Sequence, residues 1–408
     1  MNLLFSEMAV SDGHGGGLTL QRVLGSDLDA FDLFVHPGGF ARQAPPARRF
    51  APRSVQIDFW PDTVWCRRLL GCTMADRLAR RPGLRRAFCR RAAVRMRALL
   101  RGRDRVRCLA CPQGDFVPRI LGDIRRGNPF PYVTWMMDDH CLRREGDSWR
   151  YDPEMEDLMR AHLQGAAHVF VISPALGRFY RERFGVEATV LFGPADPVGE
   201  PRWDISSGGG PIRCGYFGHV GPWQVDALEA FVNAAVSPRR ATLDVWSRQD
   251  LPEEIKVAGV SARGAAAPED VVAKMREYDA VLLPISFKEA LANMSHFNIA
   301  TKMSECLASG TMTLAIGPSD SAMVDYLAPE DAAVVVTSPA TEAMRRGVEA
   351  VRDPGLRRRV LANARRLVAT RLSVEAARAT WRAGWEKVGI PGGTLCAPAS
   401  PREKANHE

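Results

Sequence analysis

The chain has 408 residues, 46 % of them hydrophobic and 25 % charged, with a formal net charge of +8. That length exceeds a single hydrophobic core and suits two soluble domains of about 150 to 200 residues each. No apolar run reaches the roughly 18 residues of a membrane span, and Met1 to Glu7 lack the basic start and apolar stretch of a signal peptide, so a cytoplasmic protein with reduced thiols is expected. Cys108 and Cys111 are the one close cysteine pair. No second Cys/His pair at zinc spacing accompanies them, so no metal site is expected at these thiols.

In chain order, a short strand begins at Leu3-Leu4-Phe5, and Asp12-Gly13-His14-Gly15-Gly16-Gly17 leads into a helix over 18–24. Consecutive glycines after a strand let backbone amides approach a ligand closely, which makes Gly16 and Gly17 candidate binding positions. The dinucleotide fingerprint Gly-x-Gly-x-x-Gly is not matched in register. Further strands are expected over 31–35, 55–57, 106–109 and 132–137, separated by helical stretches, as in a mostly parallel sheet. Between Gln43 and Arg107 stand 18 arginines against four aspartates, a local balance of +14. Arg77, Arg80, Arg81, Arg85, Arg86, Arg90, Arg91, Arg95, Arg97 and Arg101 alternate with apolar residues at three- and four-residue steps. This predicts a basic amphipathic helix or helix pair broken near Pro82-Gly83, with an anionic membrane surface as its expected partner through residues 74–101. Nucleic acid is not expected, since no binding motif accompanies the arginines and few aromatics are interleaved.

The strand at 132–137 ends in Asp138-Asp139-His140, which sets two carboxylates and an imidazole at the carboxyl edge of the sheet, where ligands of open α/β sheets bind. A strand and helix follow over 165–180, then a strand over 189–192 and a Pro/Gly/Ser-rich linker over 196–211. The pattern then restarts. Ile212 to Leu228 reads as strand, Gly-rich turn and helix, with the amides of Gly218 to Gly221 placed to hold an anion. Strands are expected over 241–246, 257–260, 280–283, 311–316 and 332–336, with helices over 341–385. Lys302 and Glu305 lie three apart in the first turns of a helix, so one cation and one carboxylate point the same way.

The order strand, loop, Lys302-x-x-Glu305, small residues, Gly310 resembles the donor-nucleotide region of retaining GT-B glycosyltransferases of the bacterial polysaccharide, or family 4, type, whose motif runs Lys-x-x-Glu-Tyr-Leu-Ala-x-Gly. Gly215-Tyr216-Phe217-Gly218 and the following helix resemble the first unit of that family's donor domain. The resemblance implies an α/β fold of two Rossmann-like domains facing a cleft. Its parts are an acceptor domain at 1–195, the linker, a donor domain at 212–372, a helix at 373–390 crossing back to the first domain, and a tail at 391–408 whose composition suggests disorder. It implies that Lys302 meets the donor phosphates and Glu305 the ribose hydroxyls, with Gly218, His219 and Gly221 cradling the diphosphate. Where many relatives carry an arginine and a lysine in that loop, His219 and Trp223 stand here. The family's first carboxylate, eight residues before Glu305, is replaced by Phe297, which leaves Glu289 or His296 to contact the sugar. The implied activity is metal-independent, retaining transfer of a hexosyl group from a nucleotide sugar to an acceptor hydroxyl, with no cofactor expected because the nucleotide sugar is itself the substrate, in the synthesis of a surface polysaccharide, glycolipid or natural-product glycoside. Asp138, Asp139 and His140 are expected to orient the acceptor. A sugar-nucleotide epimerase or hydrolase would share the donor region, and a non-enzymatic basic binding protein would explain the arginines.

Overall fold

The computed structural model describes residues 1–13, 15–37, 45–205 and 208–389. His14 of the glycine loop, Ser206 and Ser207 of the expected linker, and the tail at 391–408 lie outside the described residues. The first domain runs β1 (Asn2–Ser6), α1 (Gly15–Leu24), β2 (Leu33–Pro37), β3 (Ser54–Ile57), α2 (Val64–Leu70), α3 (Cys72–Ala79), α4 (Pro82–Leu100), β4 (Arg107–Cys111) and α5 (Phe116–Gly127). It continues with β5 (Tyr132–Met136), β6 (Arg143–Glu145), β7 (Ser148–Arg150), α6 (Pro153–Gln164), β8 (His168–Val171), α7 (Pro174–Phe184) and β9 (Thr189–Val190). The second comprises β10 (Ile212–Phe217), α8 (Val225–Ala235), β11 (Ala241–Trp246), β12 (Val260–Ala262), α9 (Val271–Met275), β13 (Ala280–Pro284), α10 (Ala292–Phe297) and α11 (Met303–Ala308). It ends with β14 (Met312–Ile316), α12 (Ala322–Leu327), β15 (Val334–Val336), α13 (Thr341–Ala350), α14 (Pro354–Leu367) and α15 (Val374–Trp385).

Two parallel sheets result, seven-stranded in the order β3-β2-β1-β4-β5-β8-β9 and six-stranded in the order β12-β11-β10-β13-β14-β15. Helices cover both faces, which is why β5, β13 and β14 are buried at every residue and read as unbroken apolar runs. The final helix returns to the first domain. Trp381 on α15 is fully buried, stacks on Trp385 at 5.2 Å and lies beside Phe170 of β8. A Cβ at Gly384 would stand 2.1 Å from the Phe170 ring, so glycine is what lets α15 reach that sheet.

Three local differences from the sequence expectations have physical causes. Helix α1 begins at Gly15 and not at 18, so Gly16 and Gly17 form its first turn. A Cβ at Gly17 would lie 2.6 Å from the Ala9 carbonyl oxygen, and this glycine therefore serves contact between α1 and the preceding loop. The strand expected over 257–260 starts at Val260, because Gly259 sits at φ +93° in the turn before it. The antiparallel hairpin β6–β7, turned at Gly146 with φ +59°, has two short, mostly exposed strands with no apolar alternation to announce it.

Helix α4 buries Phe88, Cys89, Ala92, Ala93, Met96 and Leu100 and exposes most of its arginines, as its periodicity predicts. Several of those arginines already have partners. Arg85 pairs with Asp115, Arg86 with Glu154, and Arg97 donates to the Asp123 carbonyl at 2.6 Å.

Candidate active site between the two sheets

Because every strand in each sheet is parallel, the loops after the strands gather at one edge, and those edges meet across a seam. In the second domain β10 runs into Gly218-His219-Val220-Gly221. The Tyr216 hydroxyl donates to the His219 carbonyl at 2.5 Å, and a Cβ at Gly221 would lie 2.4 Å from His219 Nε2. Glycine there allows the imidazole to fold over the loop. Trp223, two residues on, meets the His140 ring edge-on at 5.9 Å and so joins the glycine loop to the first-domain edge.

Lys302 is the N-cap residue of α11, and Glu305 lies in its first turn. Their i, i+3 spacing closes an ion pair of 2.8 Å between Nζ and Oε2. Glu305 is only 1 % exposed, and its second oxygen, Oε1, accepts from Arg22 Nη2 at 2.8 Å. Arg22 belongs to the last turn of α1, in the first domain. One buried carboxylate is thus held by two cations from opposite sides of the seam. Nothing in the sequence links residues 283 positions apart; the only hint to Arg22 was its helix, which follows the glycine loop.

The two sugar-contact candidates lie at the same seam, beside the β6–β7 hairpin. His296 stacks on Trp149 of β7 at 5.0 Å and stands 3.5 Å from Asp320, while Glu289 pairs with Arg144 of β6 at 3.1 Å. Trp149 also packs edge-on against Phe297, the residue that occupies the place of the absent carboxylate.

On the first-domain side the structure separates the three adjacent residues. Asp139 is buried: Oδ2 accepts from the hydroxyls of Tyr151 at 2.5 Å and Tyr180 at 2.8 Å, and Oδ1 from the Cys141 amide at 3.1 Å. Burial raises its pKa despite these bonds. Asp138 and His140 are partly exposed, 4.0 Å apart, and Gln113 Nε2 donates to Asp138 Oδ2 at 2.8 Å. Burial opposes the His140 cation, but Asp138, Glu7 and Asp139 together raise its pKa. Glu7 was not anticipated from sequence. It follows β1, is 4 % exposed, and accepts from the amides of Gly114 and Val117 at 3.0 and 3.1 Å, which places a carboxylate at the start of α5. Burial pushes its pKa up to about 7.

A cavity of about 610 Å³ opens at the ends of β11 and β12, lined by Ser247, Arg248, Gln249, Asp250, Lys256 and Gly264 among others. It shares the carboxyl edge with the glycine loop.

Residues 226–382 match a protein family described as glycosyl transferase-like. That span holds Lys302, Glu305 and His296. Sucrose-phosphate synthase from Thermosynechococcus elongatus superimposes with a TM-score of 0.69 at 12 % identity, covering 95 % of this chain and 98 % of that one. The fold is that of the GT-B glycosyltransferases. A glycosyltransferase from Rickettsia africae gives a TM-score of 0.61 at 9 % identity over 96 % and 99 % of the two chains. WaaG, described as a glycosyltransferase involved in lipopolysaccharide biosynthesis, gives 0.57 at 14 % identity over 94 % and 98 %. Among curated proteins, none matches the chain in sequence. The expected architecture of two Rossmann-like domains with a returning helix is therefore that of the GT-B group, and the glycosyl transferase-like match lies in the second domain and the helices after it.

Proposed function

We propose that this GT-B chain transfers a hexosyl group from a nucleotide sugar to an acceptor hydroxyl, with retention and without a divalent metal. The observation that carries this reading is Glu305 held between Lys302 and Arg22 at the seam, within the glycosyl transferase-like span. A ribose offers two hydroxyl donors to a carboxylate, and the donor would displace Arg22 from Oε1. Arg22 would then turn to the diphosphate and supply the cation that His219 and Trp223 do not. Lys302, Arg22 and the amides of the glycine loop stabilise the charge that grows on phosphate as the anomeric C–O bond breaks.

Retention brings the incoming hydroxyl to the face from which the phosphate oxygen departs. That oxygen is the nearest base as its charge grows, and it receives the acceptor proton while the new C–O bond forms. Asp138 and His140 orient the acceptor, whereas Asp139 fixes the strand end through its two tyrosines. WaaG's lipopolysaccharide pathway favours a glycolipid or surface-polysaccharide acceptor.

A panel of nucleotide sugars tests the reading. One member should raise the melting temperature, since a ligand bound only by the folded state stabilises it. With acceptor present, NMR should show the donor's anomeric configuration in the product, at a rate unchanged by EDTA. Free sugar released at the same rate with and without acceptor would favour a hydrolase, and stabilisation by no donor would remove the assignment.

A further inference from the structure

Among the described residues, eleven large hydrophobic side chains are exposed, and six of them fall within fifteen residues: Trp60, Val64, Trp65, Leu69, Leu70 and Met74. These belong to the α2–α3 hairpin and the turn before it. Trp65 is 67 % exposed and Leu69 65 %. On α2 the helical spacing sets Val64, Trp65, Arg68 and Leu69 on one outward face, while Cys66 points inward and is fully buried. The hairpin turns at Gly71, with φ +75° and nothing within 4 Å of a Cβ placed there. Its inner side is filled by Pro61, Cys66 and Ala75, so the outer apolar side contributes nothing to the domain's own core.

The charge around this face is of one sign. Residues 60–81 hold five arginines and two aspartates, and both aspartates are taken by Arg67, at 3.4 and 2.7 Å. Among the described residues, Arg68, Arg77, Arg80 and Arg81 make no ion pair. Apolar side chains with two tryptophans, ringed by unneutralised arginines, match the boundary between acyl chains and anionic headgroups. A second copy of the chain fits poorly, because a two-fold contact would set the same arginines against each other.

We propose that the α2–α3 hairpin docks the first domain on an anionic lipid surface. This moves the expected membrane contact from residues 74–101 towards the amino terminus, to residues 60–81, the two spans overlapping at 74–81. The hairpin leaves the sheet from the carboxyl end of β3, the edge that carries Glu7, Asp138 and His140. Docking there brings an acceptor carried in the membrane to the acceptor side of the cleft, an orientation that rests on the function proposed above. The docking itself does not.

The test is co-sedimentation of the full chain with phosphatidylcholine vesicles, with and without phosphatidylglycerol, at low and high salt. Binding is expected only with the anionic lipid and is expected to weaken with salt. Trp65→Ser with Leu69→Ser should lower the partition coefficient about tenfold or more, without changing the melting temperature or donor-induced stabilisation. Arg68, Arg77, Arg80 and Arg81 changed to Gln should abolish the preference for phosphatidylglycerol, a second readout that leaves the apolar face intact. No sedimentation with phosphatidylglycerol vesicles at low salt overturns the proposal, as does undiminished binding by the serine variant. A wild-type dimer in sedimentation velocity that the serine variant loses would assign the face to a second copy and overturn it equally.

Discussion

At the residue scale the site turns on Glu305. Lys302→Ala should lower turnover by ~10²-fold with an unchanged circular dichroism spectrum, since Lys302 is partly exposed and its ammonium acts on charge that develops in the reaction. Turnover within twofold of wild type would take Lys302 out of the mechanism. Glu305→Gln has a double effect, because it removes the shared counter-charge of two cations. Donor affinity measured by titration calorimetry should fall, and the melting temperature should fall as well, breaking a buried pair being worth roughly 3 kcal/mol. His140→Ala and Asp139→Asn should part company. The first should slow transfer to acceptor with little change in stability, whereas the second should chiefly lower the melting temperature by weakening the acceptor of two buried tyrosine hydroxyls. Equal losses of activity at equal stability would contradict that division. The Lys302-x-x-Glu305 pair was legible because its spacing is local. Arg22 and Glu7 were not, since their meaning comes from partners brought close only by the fold.

Among the elements, those with strong periodicity were readable from sequence and those defined by exposure were not. The buried strands β5, β13 and β14 announce themselves as apolar runs, and the strand boundaries slip by one to three residues where turns compete. Helices α2 and α3 expose the residues a folding pattern should hide, and the β6–β7 hairpin has no alternation at all. Two neighbours in sequence, Asp138 and Asp139, share a residue type but meet different surroundings in the loop after β5, a distinction made by Gln113 on one side and by Tyr151 and Tyr180 on the other. The contact of α15 with the first sheet offers a sharp test. Gly384→Val should prevent close approach to Phe170 and lower the melting temperature by several degrees, while far-UV circular dichroism stays near wild type. An unchanged melting temperature would mean that α15 is not held by this contact.

For the whole molecule, pH acts through buried groups of opposite sense. Burial holds the imidazoles of His36 and His162 down, to about 4 and about 3. Unfolded histidine takes its proton near 6.5, so the unfolded chain is favoured and stability is lost as pH falls from 6.5 through about 4. Glu7 works the other way. With its pKa raised from 4.5 to about 7, the native state binds the proton first, and stability declines as pH rises across that interval. His168 is held down likewise, to about 4. These three histidines outweigh Glu7, Asp139 and His140, whose raised values act in the opposite sense, so the urea midpoint should be lower near pH 5 than near pH 7.5. Glu7→Gln removes part of the opposing slope and should widen that difference; an unchanged pH dependence would show that Glu7 does not titrate in this range.

The returning helix also sets an order of events during synthesis. The cluster containing Leu4, Leu20, Phe34, Trp135 and Phe170 is completed by Ala377, Trp381 and Val388. A ribosome exposes the first group long before the second has been made, and domains otherwise fold as they emerge. The amino-terminal half must therefore wait with part of its interior open until residues 377–388 have been translated. Its final closure coincides with the joining of the two halves, so the cleft and the core behind it mature in a single step.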